Sequence, residues 1–474
     1  MKHPLIWSDD LDAPIAWRDG HAVSRRRYLA DVNALCALLP AAGPMLNVSA
    51  DRYHFAVGLG AAMLRGQDNL LPPNHTPDMV ARLRGLFPST YGLADEAAPR
   101  VQLPMVWHPR AAPDAARPFE VPRIDADVLA AQVLTSGSTG APVPHAKHWG
   151  LLVHNSRAGA QRLARQMGRA DLVGVTLVAT VPPQHMYGFE STVLLALLGG
   201  AAFDVERPFY PADIARALAR APRPRLLVTT PFHLKTLLDS GIALPPIDLL
   251  LCATAPLSPQ LAARAEAALA APLMEIYGCT EAGQVASRRT TDGPEWQLYE
   301  DLQLSGDADK AIVQGGHVPQ PTLLADVLEV MDSRTFRLLG RSNDLINIAG
   351  KRSSLSHLNY HLNTIAGVHD GSFWLPPDEP GHAIKRLIAF VVAPELAPAA
   401  LHEHIVGALR QRVDAAFLPR RVVAVPALPR EPTGKLPSGA FNAWALQALA
   451  RAAARAQPLQ SMPGRAPSHG VNRP

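Results

Sequence analysis

Residues 128–140 read VLAAQVLTSGSTG. A near-continuous apolar run of strand length ends abruptly in hydroxyls and glycines, the pattern of a buried strand opening into a flexible loop. The texture then repeats. Apolar runs at 172–182 (LVGVTLVATVP), 224–231 (PRLLVTTP), 247–256 (IDLLLCATAP) and 272–278 (PLMEIYG) alternate with helix-like stretches at 158–168, 211–221, 231–241 and 259–270. Strands buried on both faces and alternating with helices predict a mainly parallel sheet covered by helices, an α/β fold.

Outward from this block the texture changes twice. Residues 1 to about 125 mix helical patterns, over 28–39 and 55–66, with proline-rich breaks at 71–77 and 108–122. Toward the other end, 323–332 and 335–341 are expected to pair as a small antiparallel unit, followed by a polar connector at 342–354. The apolar patterns at 386–394, 401–413 and 420–429 then predict a compact α+β domain. The expected division is 1–340, 341–455, and a tail over 456–474 that lacks periodicity and is expected to be disordered.

Composition narrows the function classes. With 48% hydrophobic and 18% charged residues the chain can bury a large core, which excludes disorder of the whole. A net charge of +4, spread along the sequence, argues against nucleic-acid binding and suits a small anionic substrate. Cys36, Cys252 and Cys279 lack metal-ligand spacing and cannot pair completely, which points to a reducing cytosol. The first residues carry acids where a secretory signal needs an apolar run. The longest apolar stretch, 191–203, contains Gly199 and Gly200 and is too short to span a bilayer, so a buried helix and turn is expected. A cytoplasmic enzyme is the expectation.

Four segments carry chemistry. In Thr135-Ser136-Gly137-Ser138-Thr139-Gly140, hydroxyls and free backbone N–H groups arrive together at a strand end and can wrap phosphate oxygens. An ordinary Ser/Gly turn reads equally well, and the Gly-Lys-Ser/Thr end of a Walker loop is absent. In Tyr277-Gly278-Cys279-Thr280-Glu281 a hydroxyl beside a carboxylate could hold phosphate and Mg²⁺, or could begin a helix. Gly340-Arg341 precedes Asn343-Asp344 and Gly350-Lys351-Arg352. Finally, Lys435 sits on a Pro/Gly-bounded loop, PREPTGKL, where a lone lysine usually reads as solvated surface.

In this order the four segments resemble the adenylate-forming superfamily of acyl- and aryl-CoA synthetases, peptide-synthetase adenylation domains and luciferases. The resemblance covers residues 134 to 436. It implies a large N-terminal α/β region, a small mobile C-terminal domain, and formation of an acyl-adenylate from ATP and a carboxylic acid before transfer to a thiol. Family roles carried over would place Thr135, Ser136, Gly137, Ser138, Thr139 and Gly140 around the β- and γ-phosphates. Thr280 would touch the α-phosphate and Glu281 would hold Mg²⁺. Asp326 would grip the ribose with support from Arg341, and Tyr277 and Gly278 would lie along the nucleotide. Thr254-Ala255-Pro256 resembles the family's adenine-side Gly-Ala-Pro turn, with threonine for glycine. Lys435 would meet the substrate carboxylate and the bridging phosphate oxygen. His185, in VPPQHMYG, would line the acyl site. Asn343 takes the hinge position, and Gly350 would pass close to the phosphopantetheine arm of a carrier protein or CoA. His154, Asn155, Tyr187, Phe189 and 278–284 are expected walls of the acyl pocket, though Phe189 reads equally as core and His154 as surface.

The sequence departs from this pattern after the phosphate loop. The family's Pro-Lys-Gly is here Pro142-Val143-Pro144, so the lysine is missing and Pro144 lacks an N–H. His145 or Lys147 could supply the cation; alternatively the activity is weakened or lost. This loop, followed by PHAKHW, and the short N-terminal region look like ligases of aryl-polyene and xanthomonadin-type pigment biosynthesis. That implies a hydroxybenzoate-like aryl acid, such as 3-hydroxybenzoate, and an acyl carrier protein or CoA as acceptor. A fatty acyl ligase or a non-catalytic nucleotide-binding homologue are the competing expectations.

Overall fold

The computed structural model describes residues 1–8, 10–98, 100–109, 120–136, 142–306, 310–341, 345–348, 351–376, 386–430, 436 and 438–456. They form two compact units, one spanning Met1–Leu345 and a second beginning at Ile346.

The first unit contains two large sheets. The larger has eleven strands, and six adjacent ones are parallel: Leu273–Cys279, Leu249–Cys252, Arg225–Thr229, Thr176–Ala179, Ala202–Asp204 and Pro14–Arg18. Every residue of Thr176–Ala179 and Leu249–Cys252 is buried, as continuous apolar runs require. Two of the helices between them start where the sequence places a hydroxyl before proline. Thr230 caps Pro231–Asp239 and Ser258 caps Pro259–Leu269, each side chain accepting a backbone N–H while proline occupies the first turn.

The second sheet has six strands in the order Pro142–His148, Leu129–Ser136, Asn69–Leu71, Met45–Asn47, Tyr91–Ala94 and Met105–Trp107. All neighbours are parallel except the first pair. Two expectations change here. The run 128–136 belongs to this sheet rather than to the sheet of the other four runs, because an apolar run reports burial on both faces and not which strand lies alongside. The segments 323–332 and 335–341 also do not stand apart. Asp326–Val330 and Thr335–Arg341 extend the eleven-stranded sheet, with Phe336 opposite Trp296 and buried in the same cluster.

One buried cation ties the two sheets together. Arg52 opens the helix Arg52–Leu64, which follows a strand of the smaller sheet, and is 1% exposed. Its guanidinium donates to the carbonyls of Ala179 and Val181 at the end of a strand in the larger sheet, 3.1 Å each. A longer contact of 3.4 Å reaches Thr192 Oγ1. Burial lowers its pKa to about 10, so it stays charged at neutral pH.

The expected buried helix at 191–203 is present as a π-helical segment, Phe189–Leu194, continuing into Leu195–Leu198. The second unit pairs a three-stranded sheet, Asp370–Trp374, Ile388–Val392 and Arg421–Ala424, with helices Leu355–Asn363, Pro398–Arg410 and Ser438–Ala456. Most of the expected tail, 457–474, lies outside the described residues. Among the described residues no helix is long and apolar enough to cross a membrane.

Two stability predictions follow from these backbone features. Arg52→Met leaves two buried carbonyls without a donor and should cost about 3 kcal/mol, read as a lower urea midpoint. Thr254, just beyond the strand Leu249–Cys252, has φ +85°, and its buried hydroxyl has no hydrogen-bond partner among the described residues. A β-branched residue is strained there, so Thr254→Gly should raise stability by about 1 kcal/mol in the same assay. An unchanged or lower midpoint would contradict the strain.

Candidate active site

Parallel strands deliver their following loops to one edge, the usual location of a ligand in an open α/β sheet. Three expected site segments follow C-terminal strand ends of the larger sheet. His185 follows Thr176–Ala179, Thr254-Ala255-Pro256 follows Leu249–Cys252, and Thr280 and Glu281 follow Leu273–Cys279. Asp326, at a sheet edge, is joined to this group by the Tyr277 hydroxyl, which donates to its Oδ2 at 2.6 Å. The Tyr277 ring is held between Trp296 and Phe336, at centroid distances of 5.7 and 5.4 Å.

Thr280 and Glu281 do not begin a helix. They form the turn of a hairpin between Leu273–Cys279 and Gly283–Arg289, with an irregularity at Tyr277/Gly278. Glycine is required at both ends of this turn. A Cβ on Gly278 would stand 2.2 Å from the Gly283 carbonyl oxygen, and Gly283 has φ +79°.

The smaller sheet meets this turn through Pro142–His148. Alternate residues of a strand share a face, so His145 and Lys147 point the same way. His145 Nε2 lies 3.1 Å from Thr135 Oγ1 and 3.8 Å from Glu281 Oε1. Burial lowers the His145 pKa, with Glu281 opposing and Lys147 reinforcing. Lys147 is 8% exposed, and its ammonium donates to the Thr280 carbonyl and, at 3.4 Å, to the Glu281 carbonyl. Burial lowers its pKa as well, opposed by Glu190, Cys279 and Glu281. The Glu281 carboxylate itself is half exposed.

The expected acyl-site residues separate into distinct environments. His185 Nε2 lies 3.2 Å from the Pro73 carbonyl oxygen, linking the VPPQHMYG segment to a loop of the smaller sheet. The Tyr187 hydroxyl is shared between the carbonyls of Leu251 (2.9 Å) and Thr229 (3.1 Å). Phe189 is fully buried with its edge toward Phe55, so it is core. The His154 ring meets His3 edge-on. Asn155 instead points to Glu190, whose carboxylate accepts from its amide. Sequence reasoning missed Glu190; the available signal was a lone acid inside the apolar run 189–198.

Gly137, Ser138, Thr139, Gly140, Asn343, Gly350 and Lys435 lie outside the described residues, as do the side chains of Ser136 and Arg341. Among the described residues no group of three or more His, Cys, Asp or Glu could hold a metal ion. A single accessible carboxylate beside a hydroxyl fits an ion arriving with phosphates, since Mg²⁺ usually takes one or two carboxylates together with substrate oxygens and water.

The AMP-binding enzyme family matches residues 58–317. The 4-coumarate–CoA ligase of Rhodobacter capsulatus is 32% identical over 301 residues, 64% of this chain and 73% of that protein. The corresponding enzyme of Halorhodospira halophila is 30% identical over 316 residues, again 64% and 73%. Among solved structures, the anthranilate CoA ligase AuaEII in complex with anthranoyl-AMP superposes with a TM-score of 0.74 at 15% identity, covering 96% of this chain and 99% of that one. ATP-bound MatB from Rhodopseudomonas palustris gives 0.73 at 18%, covering 92% and 96%. At such identities the structural likeness speaks for the fold. With more than half of its length matched, the chain belongs to the AMP-binding enzyme family, as an ATP-dependent acid–CoA ligase type of protein.

Proposed function

We propose that this chain adenylates an aryl carboxylic acid with Mg-ATP and passes the acyl group to a phosphopantetheine thiol, on an acyl carrier protein or CoA. The observation that carries the reading is the junction of Thr135, His145, Lys147, Thr280 and Glu281, which joins the expected phosphate loop to the expected metal-binding turn. The relatives that act on 4-coumarate, and the neighbour that binds anthranoyl-AMP, support an aryl acid.

In this reading Thr135 and Thr280 present hydroxyls to phosphate oxygens, and Asp326, oriented by Tyr277, takes the ribose. Glu281 would hold Mg²⁺, which when bound neutralises phosphate charge. Lys147 answers the missing loop lysine indirectly. Its ammonium is committed to the Thr280 and Glu281 carbonyls, so it fixes the turn rather than pairing with phosphate. Preorganising the Thr280 hydroxyl and Glu281 carboxylate in this way removes reorganisation from the adenylation step. Lys435 would stabilise charge developing between the carboxylate and the α-phosphate. In the second unit Arg386, Arg410, Arg420 and His402 line a polar cleft, which supports an acceptor bearing phosphates or acidic side chains.

The deciding measurement is acid-dependent pyrophosphate release with Mg-ATP across benzoates, cinnamates and fatty acids. Release with hydroxylated benzoates or cinnamates is expected. Release with fatty acids alone would replace the aryl substrate, and none at all with ATP still bound would leave a nucleotide-binding protein. Lys435→Ala should lower adenylation about a hundredfold or more while sparing acyl transfer from a preformed adenylate. Equal losses in both half-reactions would remove its assigned role.

A further inference from the structure

Glu190 sits on the π-helical segment Phe189–Leu194, is 4% exposed, and accepts a hydrogen bond from the Asn155 amide. The hairpin that carries Thr280 and Glu281 runs directly against this pair. A Cβ built on Gly283 would lie 2.9 Å from both Glu190 Oε1 and Asn155 Nδ2. The next residue, Gln284, is 3% exposed, and its Oε1 faces the same helix, 2.9 Å from where a Cβ on Gly159 would stand. Asn155 and Gly159 are four residues apart on the helix Trp149–Gln166 and therefore share a face.

Three side chains with acceptor oxygens thus gather under one turn, and two of them keep an acceptor that is not satisfied. Asn155 Oδ1 and Gln284 Oε1 are both buried without a hydrogen-bond partner among the described residues. Each such acceptor is destabilising unless a donor reaches it. No donor among the described residues reaches these two acceptors, yet the cluster does not lack positive charge. Lys147 interacts electrostatically with Glu190 from the opposite strand, opposing the burial that raises the carboxyl pKa to about 7. A second cation here would face Lys147, so the missing partner is a neutral O–H donor.

We propose that Glu190, Asn155 and Gln284 receive a hydroxyl group carried by the acyl part of the substrate. This rests on the reading of the chain as an acid-activating ligase, and it names the feature of the acid that the site selects. A site built to hydrogen-bond a hydroxyl discriminates strongly against the analogue lacking it, because its buried acceptors are then left unpaired. An acid with hydrogen in place of hydroxyl should lose about a hundredfold or more in kcat/KM.

The experiment compares kcat/KM for pyrophosphate release with 3-hydroxybenzoate, 4-hydroxybenzoate, benzoate and the matching methoxybenzoates. It is run with the full chain and with the Glu190→Gln and Gln284→Met variants, each checked for Mg-ATP binding. The native chain should prefer one hydroxylated acid over benzoate and over its methyl ether, and both variants should shrink that preference at least tenfold. Benzoate turned over as well as the hydroxylated acids would overturn the proposal while leaving aryl-acid activation standing. A variant that loses activity on all acids equally, with the preference kept, shows a structural role and also overturns it. If only aliphatic acids react, the aryl reading fails, and the cluster is judged on hydroxylated against plain aliphatic acids. Equal turnover of those would remove it too, the buried acceptors then being served by water.

Discussion

A buried ammonium group joins the two sheets of the larger unit where the candidate site residues meet. Lys147 stands on the edge strand of the six-stranded sheet, and its ammonium donates to carbonyls in a turn of the eleven-stranded sheet. The hairpin turn is bounded by Gly278 and Gly283, positions that supply flexibility and close approach but no side-chain packing. A charged donor bonded to neutral carbonyls is among the stronger contacts available to such a loop. It also fixes the direction in which the Thr280 and Glu281 side chains leave the backbone.

Burying that charge requires compensation, and the compensation organises the neighbouring side chains. A lone ammonium in a low-dielectric interior is costly, whereas a carboxylate nearby and well-placed carbonyls offset much of the penalty. Glu190 attracts the Lys147 ammonium and opposes its burial, and Glu190 in turn is held by Asn155. Arg52 solves the same problem at a second point of contact between the sheets, with carbonyls of Ala179 and Val181. The two sheets are therefore connected by cations bonded to backbone oxygens, as well as by the continuous apolar core that runs beneath both. Apolar contact resists separation but tolerates sliding; a directional bond to a particular carbonyl sets the register.

How much of this was legible in the sequence depends on the range of the interaction. The helix starts were readable because caps are local: Thr230-Pro231 and Ser258-Pro259 state where a helix begins within two residues. Four strands of the larger sheet, Thr176–Ala179, Arg225–Thr229, Leu249–Cys252 and Leu273–Cys279, were readable because burial on both faces demands unbroken apolar runs. Strands of three residues, Met45–Asn47 and Asn69–Leu71, are too short for any period to register, so the smaller sheet stayed hidden among proline-rich breaks. For the site, ordered motifs brought Thr135, Thr280, Glu281 and Asp326 to attention, and the geometry joins Thr135 to Glu281 through His145 and Asp326 to Tyr277. Glu190 was not legible. A single acid in an apolar run carries no sign of the partner more than thirty residues away that makes its burial tolerable.

The altered phosphate loop takes on a different meaning in this light. Read as a motif, Val143 and Pro144 are losses of a cation and of a backbone donor. Val143, His145 and Lys147 share one face of the strand, and exposure falls along it from 44% at Val143 to 8% at Lys147. Moving the positive charge four residues along an extended strand carries it about 13 Å from the loop. It thereby places the charge at the base of the turn. A mobile lysine on a loop contributes charge at the moment of binding, at the cost of ordering its long side chain. A buried lysine has already lost that entropy on folding, and what it contributes is the position of other groups. In the proposed reading the chain exchanges a direct contact for a preorganised one, the turn being held by Lys147.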